Sequence, residues 1–70
     1  MSIIDEHVKA VDAIRIAIKR EKETLDYYTK AESVVNDAGA KKMFEHLIHH
    51  SKEHIRLLEE EYDLNIMSEM

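Results

Sequence analysis

Two long apolar stripes at helical spacing, joined by a single turn signal, restrict this chain to very few folds. In the first half, apolar residues recur at steps of three, four and seven, namely Ile4, Val8, Val11, Ile14, Ile18, Leu25, Tyr28, Ala31 and Val35. The second stripe consists of Met43, Phe44, Leu47, Ile48, Ser51, His54, Ile55 and Leu58. Such spacing is typical of amphipathic α-helices. The chain has no proline to interrupt either segment.

The turn signal is the segment 36–39, Asn-Asp-Ala-Gly, which contains the only glycine of the chain. Asp37 is a good N-cap for a helix that follows it, since its side chain can accept from free backbone N–H groups. So short a connection makes the two helices antiparallel. The pattern therefore predicts an all-α, antiparallel two-helix hairpin.

The helix boundaries follow from the caps and from the extent of the stripes. We predict a first helix over about residues 3–36, capped by Ser2, and a second over about residues 39–62. Together they make residues 1–63 one helical hairpin. Residues 64–70 lack periodicity and are expected to be a flexible tail.

Composition excludes several classes of function. With no cysteine, disulfides and thiolate metal sites are ruled out. The net charge of −5 argues against nucleic acid as a partner, because phosphate backbones require an excess of Lys and Arg. Uncharged stretches are too short to span a bilayer, and the N-terminus lacks the parts of a signal peptide. We therefore expect a cytoplasmic protein with no membrane partner.

A lone hairpin leaves its apolar stripes uncovered, and cores of this size usually need staples or partners. Homodimerisation into a four-helix bundle is the simplest way to cover the stripes. The prediction is therefore a homo-oligomer, a dimer or larger.

Glu21 is the one charged residue within the first stripe, and His54 lies in the second stripe. Both stand equally far from the turn along the chain, and the rise per residue is the same in both helices. The two side chains should therefore lie at the same level and face each other. A carboxylate and an imidazole inside a helical core need compensation, and a shared metal ion supplies it. In a two-fold dimer, two copies of each would converge.

Residues around Glu21 and His54 resemble those of a known family. In rubrerythrin-type ferritin-like domains the first helix carries a glutamate seven residues before a tyrosine, which Glu21 and Tyr28 match. Segment 37–54 resembles the second helix of these domains, which ends in Glu-x-x-His, and His54 matches that histidine. A two-helix chain of this size is most similar to the encapsulated ferritins, and the resemblance covers about residues 14–62.

The resemblance implies a ferritin-like four-helix bundle made by a homodimer, with a di-iron site and ferroxidase-type oxidation of ferrous iron. It implies Glu21 and His54 as metal ligands. The bridging glutamate of the family falls on Ser51, whose neutral hydroxyl is a poor ligand for divalent iron. Two glutamates and two histidines per dimer then suit one metal ion better than two.

His50 is a further candidate ligand, since His46, His50 and His54 follow one another at i, i+4 spacing on one side of the second helix. It borders the apolar stripe, where it would replace the missing carboxylate. A site richer in nitrogen shifts the preference from iron toward zinc or another divalent transition metal. Tyr28 and Ser51 are expected beside the ligands, with Tyr28 in the core. No residue is assigned a catalytic role.

Two functions from different classes stay open. One is a metal-binding ferritin-like protein that handles iron, with or without ferroxidase activity, and with a protein shell or compartment as a further partner. The other is a metal-free structural or interaction module that keeps the bundle. Ser51 separates the two, because it marks a departure from the di-iron pattern. The joint presence of Glu21 and His54 favours metal binding, since leucines at both positions would stabilise a core more.

Overall fold

Two helices form an antiparallel hairpin in the computed structural model, which describes residues 9–69 and the side chains of residues 9–66. Helix α1 spans Ala10–Val34 and helix α2 spans Ala38–Glu69. The predicted all-α hairpin is confirmed over this part of the chain. Neither helix combines, within the described residues, the length and the apolar character that crossing a membrane requires.

Val35, Asn36 and Asp37 connect the helices. Val35 is extended, and its backbone N–H donates to the carbonyl of Ala31 at 3.0 Å, so α1 ends two residues earlier than predicted. The Oδ2 atom of Asp37 accepts from the backbone N–H of Ala40 at 2.7 Å. The predicted N-cap of α2 is thereby confirmed.

Gly39 lies in the first turn of α2, so the connection ends at Asp37, two residues earlier than the expected turn over 36–39. Its φ is not positive, and the glycine is therefore not required by the backbone conformation. A Cβ at this position would lie 3.3 Å from Oδ2 of Asp37. The absence of a side chain thus leaves room for the capping carboxylate.

Lys41 connects the start of α2 to the end of α1. Its Nζ atom donates to the backbone carbonyl of Glu32 at 2.7 Å and lies 3.6 Å from the carboxylate of the same residue. The last carbonyls of a helix lack intrahelical partners, and a cation beside them is favourable. This contact therefore stabilises the end of α1 and holds the two helices together near the turn.

The beginning of α1 differs from the prediction. Lys9 is extended, and its carbonyl accepts from the N–H groups of Asp12 and Ala13 at 3.0 and 3.1 Å, so the helix begins at Ala10. A carboxylate in the first turn is favourable at a helix N-terminus, and Asp12 supplies it here. The predicted N-cap Ser2 and the first predicted turns lie outside the described residues.

The end of α2 also differs, because the helix continues to Glu69 through most of the segment 64–70 that we expected to be a tail. Neither proline nor a second glycine follows Gly39 to stop it. The Nδ2 atom of Asn65 donates to the carbonyl of Glu61 at 2.9 Å within this segment. The helical backbone therefore continues beyond the point where the apolar periodicity ends.

Ser51 and Ile55 lie at the centre of the helix pair and are the two buried side chains among those the structure describes. Half-buried apolar side chains of α1 form the other side of the interface, namely Val11, Ile14, Ile18, Leu25 and Tyr28. Met43, which we placed in the packing stripe, is exposed instead. One layer of two helices thus encloses very little of its apolar surface.

Candidate metal centre

Glu21 and His54 meet across the helix pair. The Oε1 atom of Glu21 lies 3.6 Å from the Nδ1 atom of His54. Glu21 is held on α1 between the half-buried Ile18 and Leu25, and His54 lies next to the buried Ile55 on α2. Equal distance from a short turn brings both to the same level, as the sequence predicts. The predicted opposition of these two side chains is therefore observed.

The pair lies at the edge of the helix interface, not inside it. The side chain of Glu21 is 31% exposed and that of His54 is 59% exposed. The expectation that both lie within the core is wrong for a single hairpin, because a two-helix layer can cover only one side of each helix. His54 therefore presents much of its ring to a surface that adjoins Glu21.

His50 lies one turn before His54 and is exposed. Its ring lies beside that of His49, with centroids 6.0 Å apart. Spacing of four residues places His50 and His54 on the same side of α2. The structure thus brings Glu21 and His54 together, while His50 borders them from the exposed side.

Ser51 and Tyr28 occupy different environments. Ser51 is only 3% exposed, so it fills the interface one turn from His54 as a small residue that allows close approach of the helices. Tyr28 is half-buried, and its ring lies 6.0 Å from the rings of Phe44 and Tyr27. Tyr28 is two helical turns from Glu21 and belongs to an aromatic group on the turn side of the pair.

Charged contacts that the sequence did not suggest lie close to the pair. Lys22 on α1 lies 3.5 Å from the carboxylate of Glu59 on α2, across the same interface. On the outer side of α2, Arg56 donates two hydrogen bonds to Glu53 and one to Glu60. The hydrogen bond from Arg56 holds the pKa of Glu53 below its usual value, even against desolvation, with charge attraction from Arg56 as a further cause. The carboxylate of Glu53 is therefore paired with the guanidinium group of Arg56.

The geometry of the pair fits two ligands of one metal ion. Two ligand atoms about 2.0–2.1 Å from a tetrahedral metal stand about 3.4 Å apart. The observed 3.6 Å between Oε1 and Nδ1 is close to that separation and too long for a good hydrogen bond. Among the described residues of one chain, no group of three or more His, Cys, Asp or Glu side chains is arranged to hold a metal. Within the described part of one chain, Glu21 and His54 are therefore a pair with no third side chain of these types arranged beside them to complete a metal site.

Comparison with known proteins does not identify the chain, since no family model, curated protein or solved structure matches it. The resemblance to ferritin-like domains stays a prediction from Glu21, Tyr28 and His54.

Proposed function

We propose that this protein binds a divalent metal ion between two copies of the chain, in a homodimeric, ferritin-like four-helix bundle. The contact between Glu21 and His54 carries the proposal. It joins a carboxylate and an imidazole from different helices at ligand spacing, with the imidazole open toward a neighbouring surface. A second copy supplies the other two ligands, and the two carboxylates neutralise a divalent cation.

Iron is the metal that the resemblance suggests, and zinc or another divalent transition metal is the one that a nitrogen-rich donor set favours. Oxidation of ferrous iron requires two ions close together, which a bridging carboxylate normally provides. Ser51 cannot provide that bridge. Metal binding is therefore the primary proposal, and a ferroxidase-type activity depends on a second ion that His50 would help to hold.

Metal content and thermal melting test the proposal directly. Wild-type protein is loaded with Zn²⁺ or Fe²⁺ and then desalted. The molar amount of metal that it retains should be proportional to the molar amount of dimer. Its melting temperature should rise with metal and fall after chelation, because a ligand that binds only the folded state stabilises it. E21Q and H54N should remove both effects.

His49→Asn is the matched control. His49 is an exposed histidine on the same helix, and spacing of five residues directs it to a different side from His54. H49N should retain metal as wild type does. Retention that is equal in wild type, E21Q and H54N would show that the pair is not the site and would overturn the proposal.

The second candidate function is a metal-free structural module, and the burial of Ser51 favours it. A small residue at the centre of the interface suits close helix packing, whereas a metal-bridging glutamate would have to occupy that space. Ser51→Glu separates the candidates. In a metal protein it should lower the stability of the metal-free form, by overpacking, and enlarge the rise in melting temperature on adding Fe²⁺. In a structural module, Fe²⁺ should leave both the wild type and S51E unchanged.

A cytoplasmic location and a protein shell as a further partner remain predictions from the sequence. Fractionation of cells that express the tagged chain tests the location. Co-purification with a larger assembly, compared between the full chain and one truncated after residue 63, tests whether the C-terminal segment addresses the protein to a shell.

A further inference from the structure

His46 and His50 lie on the side of α2 that is turned away from α1. Both side chains are exposed, whereas the buried Ile55 marks the side that packs on α1. At 100° per residue, His46 and His50 are rotated about 180° and 140° from Ile55. The helix is continuous from Ala38 to Glu69, so the two histidines are one turn apart on one side of it.

Spacing of four residues brings the two imidazoles within reach of one metal ion. Side chains at this spacing have Cβ atoms about 5–6 Å apart. Two histidines at this spacing hold the ion in zinc sites that are built on a single helix. Within residues 9–66, neither His46 nor His50 has a hydrogen-bond or ion-pair partner. A ring nitrogen of each imidazole is therefore available as a ligand.

His54 is also four residues from His50, but it is turned toward the other helix. Its Nδ1 atom lies 3.6 Å from Oε1 of Glu21 on α1. His46 makes no such contact, so it is the histidine that can join His50 without giving up another partner. An ion midway between His46 and His50 would lie about 9 Å along the helix axis from His54. The two positions are therefore separate.

The donor set of this surface consists of nitrogen atoms. Glu53 follows His50 by three residues, but both of its carboxylate oxygens accept hydrogen bonds from Arg56, at 2.7 and 3.2 Å. Imidazole suits divalent copper, nickel and zinc, among which Cu²⁺ binds most tightly, whereas Ca²⁺ and Mg²⁺ require oxygen ligands. Water would occupy the remaining positions around the ion.

We propose that His46 and His50 bind one divalent transition metal ion on the surface of a single chain, and that Cu²⁺ binds there most tightly. This site needs neither Glu21 nor a second copy of the chain, so it does not depend on the proposed function. Two protein ligands release an ion readily, so desalted protein should not retain it. Binding at this site is therefore measured at equilibrium.

Calorimetric titration of the untagged chain with Cu²⁺ tests the proposal. Wild type should bind one ion per chain at this site. His46→Asn and His50→Asn should each weaken this binding about a hundredfold, because linking two ligands raises affinity by that order. The double variant should bind about as weakly as each single variant, since loss of either ligand already removes the chelate. Both positions are exposed, so the substitutions should leave the fold intact.

His49→Asn and His54→Asn are the matched controls, because each also removes one exposed histidine of α2. Both variants should keep the ion that binds once per chain. Equal affinity of H46N, H50N and wild type would overturn the proposal. Loss of this ion in H49N would show that His49 is a ligand, and loss in H54N would show the same for His54. Either result would contradict the assignment to His46 and His50.

The stoichiometry separates this site from the one between two chains. The Glu21–His54 pair of the proposed dimer should hold one further ion for every two chains, and E21Q should remove only that ion. A titration that shows one ion per chain and nothing more would refute the dimer site and keep the surface site. Metal that binds only once for every two chains would have the opposite meaning.

Pulsed electron paramagnetic resonance identifies the ligands, because it detects the remote nitrogen of each imidazole that coordinates Cu²⁺. The spectrum of E21Q loaded with one equivalent of Cu²⁺ should show two imidazoles. Adding H46N or H50N to this variant should leave one, and adding H49N should leave both. A spectrum of E21Q with a single imidazole would show that the two histidines do not share an ion.

Discussion

Ser51 shows how one small residue sets the spacing of the two helices. It has the lowest exposure of the described side chains and lies one turn from both Leu47 and Ile55. Close packing at this point lets Glu21 and His54 approach to 3.6 Å. A larger side chain at 51 would have to displace the opposite helix or turn outward, since well-packed interiors tolerate added volume poorly.

Arg56 and Glu53 form the best-defined ion pair of the outer surface. Arg56 donates to both carboxylate oxygens of Glu53, at 2.7 and 3.2 Å, and to Glu60 at 3.2 Å. Hydrogen bonding to Glu53 raises the pKa of Arg56, and the same contact lowers the pKa of Glu53. Such pairing keeps the charged form of Glu53 favoured in the folded chain.

Arg56→Gln should raise the pKa of Glu53 toward its ordinary value of 4.5. Because a lowered pKa in the folded state stabilises only while the carboxylate is ionised, the stability difference between wild type and R56Q is present above the unfolded pKa. It disappears as the pH falls through the folded pKa. NMR titration of the Glu53 carboxyl carbon measures the shift. Arg15→Gln, which removes a similar pair with Asp12, is the control and should leave Glu53 unchanged.

At the scale of an element, contacts in the first turn of α2 stabilise the start of this helix. Asp37 accepts from Ala40, Gly39 leaves space for that carboxylate, and Lys41 reaches back to Glu32. Three neighbouring residues thus start one helix and complete the end of the other. α2 continues beyond residue 62 because neither proline nor glycine follows there to stop the helix.

Asp37→Ala should destabilise the protein by about 1 kcal/mol, the usual cost of losing an N-cap side chain. Asp37→Asn keeps the acceptor and should restore most of the loss. Urea unfolding followed by circular dichroism measures both changes. Equal stability of D37A and wild type would mean that the hydrogen bond to Ala40 does not contribute in solution.

At the scale of the whole molecule, the single chain is too open to be a finished core. Its Cα radius of gyration is 15.4 Å, whereas a compact chain of this length has about 11 Å. Small domains with one layer of helices rarely bury enough apolar surface to be stable alone. We therefore expect the proposed dimer to supply much of the free energy of unfolding.

The melting temperature of the wild type should rise with chain concentration, by about 5 °C for each tenfold increase, because unfolding of a dimer releases two chains. Differential scanning calorimetry over a hundredfold range of concentration measures this slope. A concentration-independent melting temperature for wild type would contradict an obligate dimer.

Local spacing in the sequence determined the hairpin, the cap at Asp37 and the level at which Glu21 meets His54. These features depend only on helical periodicity, on hydrogen-bonding groups a few residues apart and on a constant rise per residue. Such quantities are the same in any helical hairpin. They were therefore predictable before any packing was known.

Only the tertiary structure decided how far His54 is exposed, that Met43 lies outside the helix interface and that Ser51 is its most buried side chain. A stripe in a sequence shows which residues are apolar, but its width on α2 is compatible with two adjacent packing faces. The rotation of each helix about its own axis selects between those faces. That rotation results from how the side chains of both helices fit together, which no single segment contains.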